Sequence, residues 1–424
     1  MIVYNADYIL KGRVTVMKNV LFNPDFFLLW VGRLISQIGD KFYSIALAWW
    51  ILQKTNSPVI MGLLMVASAL PGVLLAPLAG AWIDRWYRKP VIIIADVIRG
   101  LVVIVVAVLA ILNILEVWHV FAVAVVISLG AAFYDPTVQA IVPQIVPEEE
   151  LPKANSFNQF NGGISTVMGP VLGAVAVSFL GFATVFVING LSYLVSAACG
   201  WFMDIPVTGR SDVVNNSAWS DVRAGMSFLV KQRHILIVIG IIGLVHFFYG
   251  SLLVSLPFLA RELTGNGLRN LGYCQTLLGL GLVLGSIYHG LSNKKNMPDL
   301  HLFRFVSGLG GCLLLIGLLK FMFVRSPIAY LIIMAFIGIA VANASIDWQT
   351  ILQTNTPNDM AGRVFGIASM MGNVSLPVAF GLFGILLNIS SVRFLLTLSG
   401  ALLVIATIIL QADYWWISSN SPKV

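Results

Sequence analysis

The ionisable side chains inside the long apolar runs of the chain include three aspartates and a histidine, Asp40, Asp135, Asp347 and His246. A charged side chain at the centre of a membrane-length apolar segment costs about 2.5–3.5 kcal/mol, so each of these residues needs a physical reason to be there. Carboxylates and imidazole can bind and release a proton, which removes the charge for part of a working cycle. We therefore predict these four residues as candidates for proton coupling.

Asp40 belongs to a polar stripe near the start of the chain. Arg33, Gln37, Asp40 and Ser44 follow i, i+4, i+7, i+11 spacing, which places them on one face of a helix. At 1.5 Å per residue, Asp40 lies about 22 Å from the beginning of its apolar run, near the middle of a membrane. Two interpretations stay open: Asp40 carries a proton, or it forms a static ion pair with Arg33 or Lys41. Either way, we expect the stripe to face an internal cavity and not lipid.

Polar and aromatic residues close to these groups are candidates for lining that cavity. Each has a plainer alternative: the aromatic residues could only pack helices, Asp135-Pro136 could only kink one, and His246 could be a hydrogen-bonded packing residue. Asp96 and Arg99, one helical turn apart, are expected to form a structural ion pair near one membrane face. The candidate lining residues are Arg33, Gln37, Trp49, Tyr134, Gln139, Tyr249, Asn343 and Trp348.

The amino-acid composition indicates the kind of secondary-structure element that must position these residues. Only 10% of residues are charged and 58% are hydrophobic, whereas a soluble domain has roughly a quarter of its residues charged. Apolar runs longer than the ~20 residues needed to cross a membrane recur along the whole chain. We predict an all-α membrane protein with spans at approximately 25–53, 58–83, 90–114, 118–144, 152–180, 182–204, 234–261, 270–292, 300–322, 327–354, 361–388 and 392–417.

The net charge of +7 is distributed according to membrane topology. With the N-terminus inside, most lysines and arginines fall in cytoplasmic segments, which is the positive-inside bias and predicts that both termini are cytoplasmic. The basic balance therefore does not indicate a nucleic-acid partner. The cysteines Cys199, Cys274 and Cys312 lie in apolar stretches without CxxC spacing, so we expect no metal site. No cofactor is expected, and the lack of a GxxxxGK loop disfavours ATP as the direct energy source.

The segment from Gly80 to Lys89 carries four charges in ten residues between two spans. It contains the acid Asp84 and the bases Arg85, Arg88 and Lys89. One interpretation is an ion-pair device in a cytoplasmic hairpin. The alternative is that these charges only fix the membrane topology.

A shift of 210 residues aligns the two halves of the chain. It places Gly80 on Gly290 and Lys153 on Arg363. We therefore predict two pseudo-symmetric six-helix halves. The expected organisation is a cytoplasmic segment at 1–24, a six-helix bundle at 25–204, a linker at 205–233, a second bundle at 234–418 and a tail at 419–424. The linker contains either an amphipathic helix or a simple tether.

These motifs resemble the major facilitator superfamily. The loop after the second span is similar to the superfamily's signature, and the resemblance extends over residues 19–418. Other segments narrow it to the branch of macrolide-efflux proteins and the enterobactin exporter. Those segments are Asn23-Pro24-Asp25-Phe26, Gly39-Asp40, Ala95-Asp96 with Arg99, Pro143 to Pro147, and Ala361-Gly362-Arg363-Val364-Phe365-Gly366.

The resemblance implies roles for two motifs. Asp84 would bind the positive N-terminus of the eleventh span, near Arg363, as a conformational latch when the halves close inside. The second copy has Lys294-Lys295 instead, so the latch would be one-sided. Gly169, Pro170 and Gly173 resemble the superfamily's antiporter motif, with Ala174 where a glycine is common. Their alternative role is ordinary small-residue packing.

The sequence thus predicts a secondary transporter of the bacterial plasma membrane. It would export hydrophobic or amphipathic organic solutes against proton influx by alternating access, as a monomer. Alternatives are a lipid (lysophospholipid) or siderophore transporter, and a metal-ion exporter is less favoured because clustered soft ligands are missing. A receptor or scaffold that lost the cycle is disfavoured by the complete signature. No nucleophile–base spacing indicates an enzyme.

Overall fold

The structure is a computed structural model that describes residues 23–83, 86–205, 223, 226–230, 232–291 and 298–420. The described residues are helical apart from short connections, and no strand occurs among them. Asp84, Arg85 and most of the predicted linker lie outside the described residues, as does the side chain of Arg363. The predicted amphipathic helix of the linker therefore stays a prediction.

Twelve helices follow one another along the described residues. One continuous helix, Leu151–Phe202, is divided at Gly181, whose φ of 78° and ψ of 171° are not helical; we label its arms α5 (residues 151–180) and α6 (residues 182–202). The others are α1 (Pro24–Thr55), α2 (Pro58–Ile83), α3 (Arg88–Ile111), α4 (Val117–Ile145), α7 (Arg233–Glu262), α8 (Gly267–Leu291), α9 (Pro298–Phe321), α10 (Pro327–Asn355), α11 (Asn358–Ile389) and α12 (Val392–Asn420).

Local chemistry sets the ends of the first helix. The side chain of Asn23 accepts hydrogen bonds from the backbone N–H groups of Asp25 and Phe26, and Pro24 occupies the first turn. These satisfy donors that a helix N-terminus otherwise leaves unpaired. At the other end Asn56 adopts the left-handed conformation with φ of 48°, which ends the helix.

Most of these helices are long and apolar enough to cross a membrane. Ten segments of the described residues meet that standard, and one of them, Lys153–Phe202, is 50 residues long and crosses twice as α5 and α6. Helix α1 contains five charged residues, and this explains why it is not among the ten: Asp25, Arg33, Asp40, Lys41 and Lys54. The chain is a multi-pass α-helical membrane protein.

The sequence repeat reappears in the helix bounds. Adding 210 to the bounds of α3 (88 and 111) gives 298 and 321, which are the bounds of α9. The same addition to α4 (117 and 145) gives 327 and 355, the bounds of α10. The helices also pair alike in the two halves, with α2 on α4 matching α8 on α10 and α3 on α6 matching α9 on α12. The fold is two pseudo-symmetric six-helix halves.

The ends of successive helices lie alternately at two opposite faces of the molecule. At the face that we call proximal, Asp25 accepts a hydrogen bond from the backbone of Asp204 and Lys89 donates to the carbonyl of Met203. At the distal face, Lys54 Nζ lies 3.6 Å from a Glu116 carboxylate oxygen. Both ends of the described chain, in α1 and α12, lie on the proximal side.

The two halves contact each other towards the distal face. Arg261 donates to Asn56 Oδ1 at 2.6 Å. In α2 and α11, a Cβ added to Gly62 would lie 2.4 Å from the carbonyl oxygen of Phe380. In α5 and α8, Thr276 Oγ1 donates to the carbonyl of Val167 at 2.9 Å.

Nearer the proximal face these helices separate. A Cβ built on Gly162, Gly163 or Gly290 would meet no atom of the described residues within 4 Å. The side chain of Phe160, on the proximal part of α5, is 55% exposed. Among the described residues, the halves are therefore in contact towards the distal face and separated towards the proximal face.

Candidate functional site

Asp40 lies in a polar network that joins four helices of the first half. The hydroxyl of Tyr193 on α6 donates to Asp40 Oδ1. Tyr193 also faces the guanidinium of Arg99, whose Cζ lies 4.6 Å from the centre of the ring. Arg99 in turn forms an ion pair with Asp96 on the same helix, α3. Two carboxylates are thus linked through a tyrosine and an arginine.

The centre of this network is deeply buried. Asp96 is 1% exposed and Arg99 is 5% exposed. Tyr134 of α4 also contacts the guanidinium, with its ring centre 4.4 Å from Arg99 Cζ, and its hydroxyl lies 3.4 Å from Ser196 Oγ. Cation–π contacts and ion pairs strengthen where water is excluded. A change of protonation at Asp40 would therefore act directly on Tyr193 and Arg99.

Glycines allow the helices to approach closely enough to build the network. A Cβ on Gly39 would lie 2.3 Å from Ser192 Oγ, so α1 and α6 can meet there only without a side chain. A Cβ on Gly130 would lie 2.9 Å from Arg99 Cγ, so this position of α4 leaves room for the arginine. Close approach through small residues is a common way to pack membrane helices.

Of the two predicted partners of Asp40, Lys41 is among its charged neighbours and Arg33 pairs elsewhere. Arg33 points to Asp135 of α4, with a nitrogen–oxygen distance of 3.6 Å. The positive charges near Asp40 are those of Arg99 and Lys41, and the carboxylate of Asp135 is a negative charge near it. Asp96 and Arg99, expected to be a separate structural pair, are part of the same network. Gln37 Oε1 is buried without a hydrogen-bonding partner among the described residues.

Arg33 and Gln139 line one polar cavity of about 430 Å³ in the proximal part of the first half. The side-chain amides of Asn155, Asn158 and Gln159 on α5 line it as well. Two of the predicted cavity residues are thus brought together, beside the separated proximal ends of the halves.

A second polar group lies in the other half around Asp347. Asp347 is 1% exposed, its Oδ1 lies 3.8 Å from His289 Nδ1, and its Oδ2 has no hydrogen-bonding partner among the described residues. His289 Nδ1 is also 3.2 Å from Asn343 Oδ1, and Asn343 Nδ2 donates to the carbonyl of Gly285 at 3.2 Å. Asp347 and Asn343 are on α10 and His289 is on α8.

Trp348 directly follows Asp347 in the sequence. The described contacts of three predicted residues of the second half nevertheless do not include the carboxylate of Asp347: His246, Tyr249 and Trp348. His246 Nδ1 is 2.8 Å from the carbonyl of Ile242 one turn earlier, which is the packing alternative for this residue. Tyr249 is half-buried against the hydrophobic core. The ring of Trp348 lies 6.5 Å from that of Phe365.

Trp49 of the first half lies at the distal contact between the halves. Its Cη2 would be 2.6 Å from a Cβ on Gly267, the first residue of α8. Its side chain is buried. Trp49 therefore closes the distal face in this structure and does not line an open cavity.

The described bases of the charged loop contact the first half. Arg88 donates to the carbonyl of Ala140 at 2.9 Å, and Lys89 donates to the carbonyl of Met203 at 2.6 Å, at the end of α6. A cation at a helix C-terminus is electrostatically favourable. Gly80 is in the last turn of α2.

The motif around Gly169 connects Asp40's helix to the other half. A Cβ on Gly169 would lie 2.4 Å from Lys41 Cβ, and one on Gly173 would lie 2.9 Å from Phe42 Cα. Pro170 faces α8, where its carbonyl oxygen would be 2.9 Å from a Cβ on Gly272. Helix α5 is thus in close contact with α1, directly beside Asp40, and with α8.

Comparison with known proteins gives the family. A model of the Major Facilitator Superfamily matches residues 29–380. The chain belongs to this superfamily. The resemblance predicted from the motifs is thereby confirmed. The chain is a transporter of this superfamily and not an enzyme.

Relatives of this major facilitator protein include drug exporters. It is 23% identical to macrolide efflux protein A of Streptococcus pyogenes over 385 residues, which cover 91% of this chain and 94% of that protein. It is 23% identical to the multidrug efflux pump Tap of Mycolicibacterium fortuitum over 366 residues, covering 84% and 88%. The crystal structure of the nucleoside transporter NupG matches the fold with a TM-score of 0.74 at 12% identity, covering 93% and 99%.

Tyr193 and His289 are site residues that the sequence analysis did not single out. Tyr193 follows Asn189 and Ser192 within one helical turn, so a polar patch in an apolar span was the available signal. His289 directly precedes Gly290, the counterpart of Gly80 in the repeat, and was assigned to the end of its span. Both residues can be identified as site residues only once the packing of their helices is known.

Proposed function

We propose that this major facilitator protein exports hydrophobic or amphipathic organic solutes in exchange for protons. The observation that carries this proposal is the chain of contacts from the half-buried Asp40 through the buried residues Tyr193 and Arg99 to Asp96. A carboxylate in such a network can bind a proton only if its hydrogen bonds rearrange, which links proton binding to helix packing. The names of the efflux relatives support the class of substrate.

The network is positioned to act on the contact between the halves. Asp40 precedes Lys41 and Phe42, the residues that meet Gly169 and Gly173, and the same turn of α5 meets α8 through Pro170. We propose that protonation of Asp40 changes how α1 and α5 pack, and thereby changes the stability of the distal contact. The solute would bind between the halves, reached from the proximal opening.

A transport assay with purified protein in proteoliposomes tests this proposal. Under an imposed pH gradient, addition of a macrolide or a fluorescent hydrophobic dye is expected to drive proton flux. Asp40→Asn is expected to abolish that flux while dye binding persists. Asp413→Asn is the matched control, because Asp413 is an exposed acid that pairs with Arg233 at 3.2 Å.

The outcomes separate the possibilities. Unchanged dependence on the pH gradient in Asp40→Asn would exclude Asp40 as the proton carrier. If no solute in a panel that includes lysophospholipids and siderophores drives proton flux, the proposal of proton-coupled export fails.

Asp347 and His289 give a second candidate for proton coupling. The carboxylate oxygen Oδ2 of Asp347 is buried without a partner among the described residues, and a histidine lies beside the other oxygen. Buried carboxylates without a full set of hydrogen bonds are costly when charged. Asp347→Asn is tested in the same flux assay as Asp40→Asn. Whichever of the two variants loses proton flux identifies the carboxylate that carries the proton.

We further propose that Asp84 is a latch that closes the proximal face, with Arg85, Arg88 and Lys89 orienting it and Arg363 beside its target. This part rests on the family signature. Asp84→Asn is expected to lower turnover severalfold with expression and membrane insertion unchanged. Glu149→Gln, at an exposed acid of the same face, is expected to leave turnover unchanged; equal turnover in both variants would remove the latch from the mechanism.

We also propose that the protein works as a monomer in a bacterial plasma membrane, with both termini cytoplasmic. The bias of lysine and arginine towards the proximal segments supports that orientation. Under this orientation, we propose that the separation at the proximal face opens to the cytoplasm.

A further inference from the structure

A cavity of about 620 Å³ lies at the distal end of the second half, between the ends of α7 and α9 and the start of α12. Its lining includes four cationic side chains and one carboxylate. The cationic residues are Arg261, Lys320, Arg325 and Arg393, and the acid is Glu262. The formal excess is therefore three positive charges, four minus one.

This concentration of positive charge is unusual for the distal side of the molecule. Basic residues are scarce on the distal side, where the sequence has Lys54, Arg261, Arg269, Lys320, Arg325 and Arg393. Four of these six line the same cavity. Like charges repel, and scattered solvated bases would gain nothing by converging. The convergence indicates a site for an anion.

The charges are only partly neutralised within the protein. Lys320 pairs with Glu262. The guanidinium of Arg393 lies 5.1 Å from the ring centre of Phe321, which leaves its N–H donors available. The guanidinium of Arg325 has no hydrogen-bond or ion-pair partner in the described part of the chain, while its backbone carbonyl accepts from the N–H of Thr264 at 2.9 Å. Guanidinium groups bind phosphate oxygens through two parallel hydrogen bonds.

The loop at this cavity also holds a strained aromatic residue. Phe323 has φ of 56°, a left-handed conformation that bulky residues rarely adopt. Its counterpart in the repeat, Asn113 (113 plus 210 is 323), has φ of 57°, and asparagine tolerates that conformation. Phe323 is 73% exposed and Met322 is 74% exposed. An apolar rim thus stands beside the cationic cavity at the edge of the membrane.

We propose that this cavity binds the phosphate group of an anionic phospholipid from the leaflet at the distal face. The arginines would hold the phosphate, and the rim at Phe323 would contact the acyl chains. This phospholipid site is distinct from the proposed site of the transported solute, because the cavity lies at the distal end of one half and not between the halves.

The site is connected to the contact between the halves through Arg261. Arg261 donates to Asn56 Oδ1 of the other half at 2.6 Å and also lines the cavity. A bound phosphate would compete with Asn56 for this guanidinium. Phospholipid binding would therefore loosen the distal contact and favour opening at that face.

Binding of phosphatidylglycerol to the full-length protein in detergent, followed by native mass spectrometry, tests the site. Arg325→Gln and Arg393→Gln are each expected to weaken binding about tenfold or more. Arg269→Gln is the matched control, because Arg269 is a distal base outside this cavity and its guanidinium lies 6.0 Å from the ring centre of Phe179. The affinity of this variant for phosphatidylglycerol should equal that of the wild type. Equal affinity in all three variants would overturn the proposal.

Two further measurements identify the source of the phosphate and test the competition at Arg261. Inorganic phosphate alone should not displace phosphatidylglycerol at equal concentration; displacement would mean that the site takes a free anion, which overturns the lipid assignment. Asn56→Gly keeps the left-handed turn but removes the competing amide, so it should tighten lipid binding severalfold. Unchanged or weaker binding would refute the competition at Arg261.

Discussion

Tyr193 and Tyr43 allow a matched test of the Asp40 network at the scale of single residues. The Tyr193 hydroxyl donates to Asp40, whereas the Tyr43 hydroxyl is buried without a partner among the described residues. A hydrogen bond to a charged group contributes about 1.5–3 kcal/mol, so Tyr193→Phe is expected to slow pH-gradient-driven transport about tenfold or more. Initial rates in proteoliposomes measure it. Tyr43→Phe should keep the wild-type rate, and equal rates in the two variants would contradict the network.

His289 and His246 form a similar pair in the second half. His289 contacts the side chains of Asp347 and Asn343, whereas the ring of His246 contacts a backbone carbonyl one turn earlier. Removing the partner of a buried polar group costs about 1–3 kcal/mol. His289→Leu is therefore expected to lower the thermal unfolding midpoint in detergent more than His246→Leu does. The reverse order would show that the group around Asp347 is not held by His289.

At the scale of helices, Gly272 decides how closely α5 and α8 meet. A Cβ there would lie 2.7 Å from Ala174 Cβ and 2.9 Å from the carbonyl oxygen of Pro170. Gly272→Ala must push the two helices apart, which weakens the distal contact and shifts the population towards a distal-open state. Gly308→Ala is the control, because a Cβ at Gly308 meets no described atom within 4 Å.

Spin labels at Trp118→Cys and Ile328→Cys report this shift, in a background without the three native cysteines. Both side chains are exposed on the distal side, at 67% and 65%, and they are equivalent in the repeat. The distance between the labels is expected to lengthen in Gly272→Ala and to stay unchanged in Gly308→Ala. An unchanged distribution in both would mean that α5 and α8 do not form the distal gate.

At the scale of the whole molecule, the orientation in the membrane follows from the charge distribution. We predict that the proximal face is cytoplasmic. A membrane-impermeant maleimide should label Trp118→Cys in intact cells and Glu149→Cys only after permeabilisation. The opposite pattern would reverse the direction of transport inferred from the proximal opening.

The sequence by itself determined the helices and their repetition. Apolar runs of membrane length predicted twelve spans, and their division at Gly181 and their 210-residue repeat reappear in the helix bounds. This is possible because the bilayer requires every span to satisfy its own backbone hydrogen bonds, so hydropathy marks most of the helices. The loop signature likewise sufficed to predict the superfamily.

Only the tertiary structure decided which side chains meet. Asp40 and Tyr193 are 153 residues apart in the chain, Arg33 contacts Asp135 and not Asp40, and four distal bases converge in one cavity. Hydropathy does not encode these contacts, because every face of a membrane helix is largely apolar. Which faces meet depends on small residues such as Gly39 and Gly169, whose close approach is a property of pairs of helices.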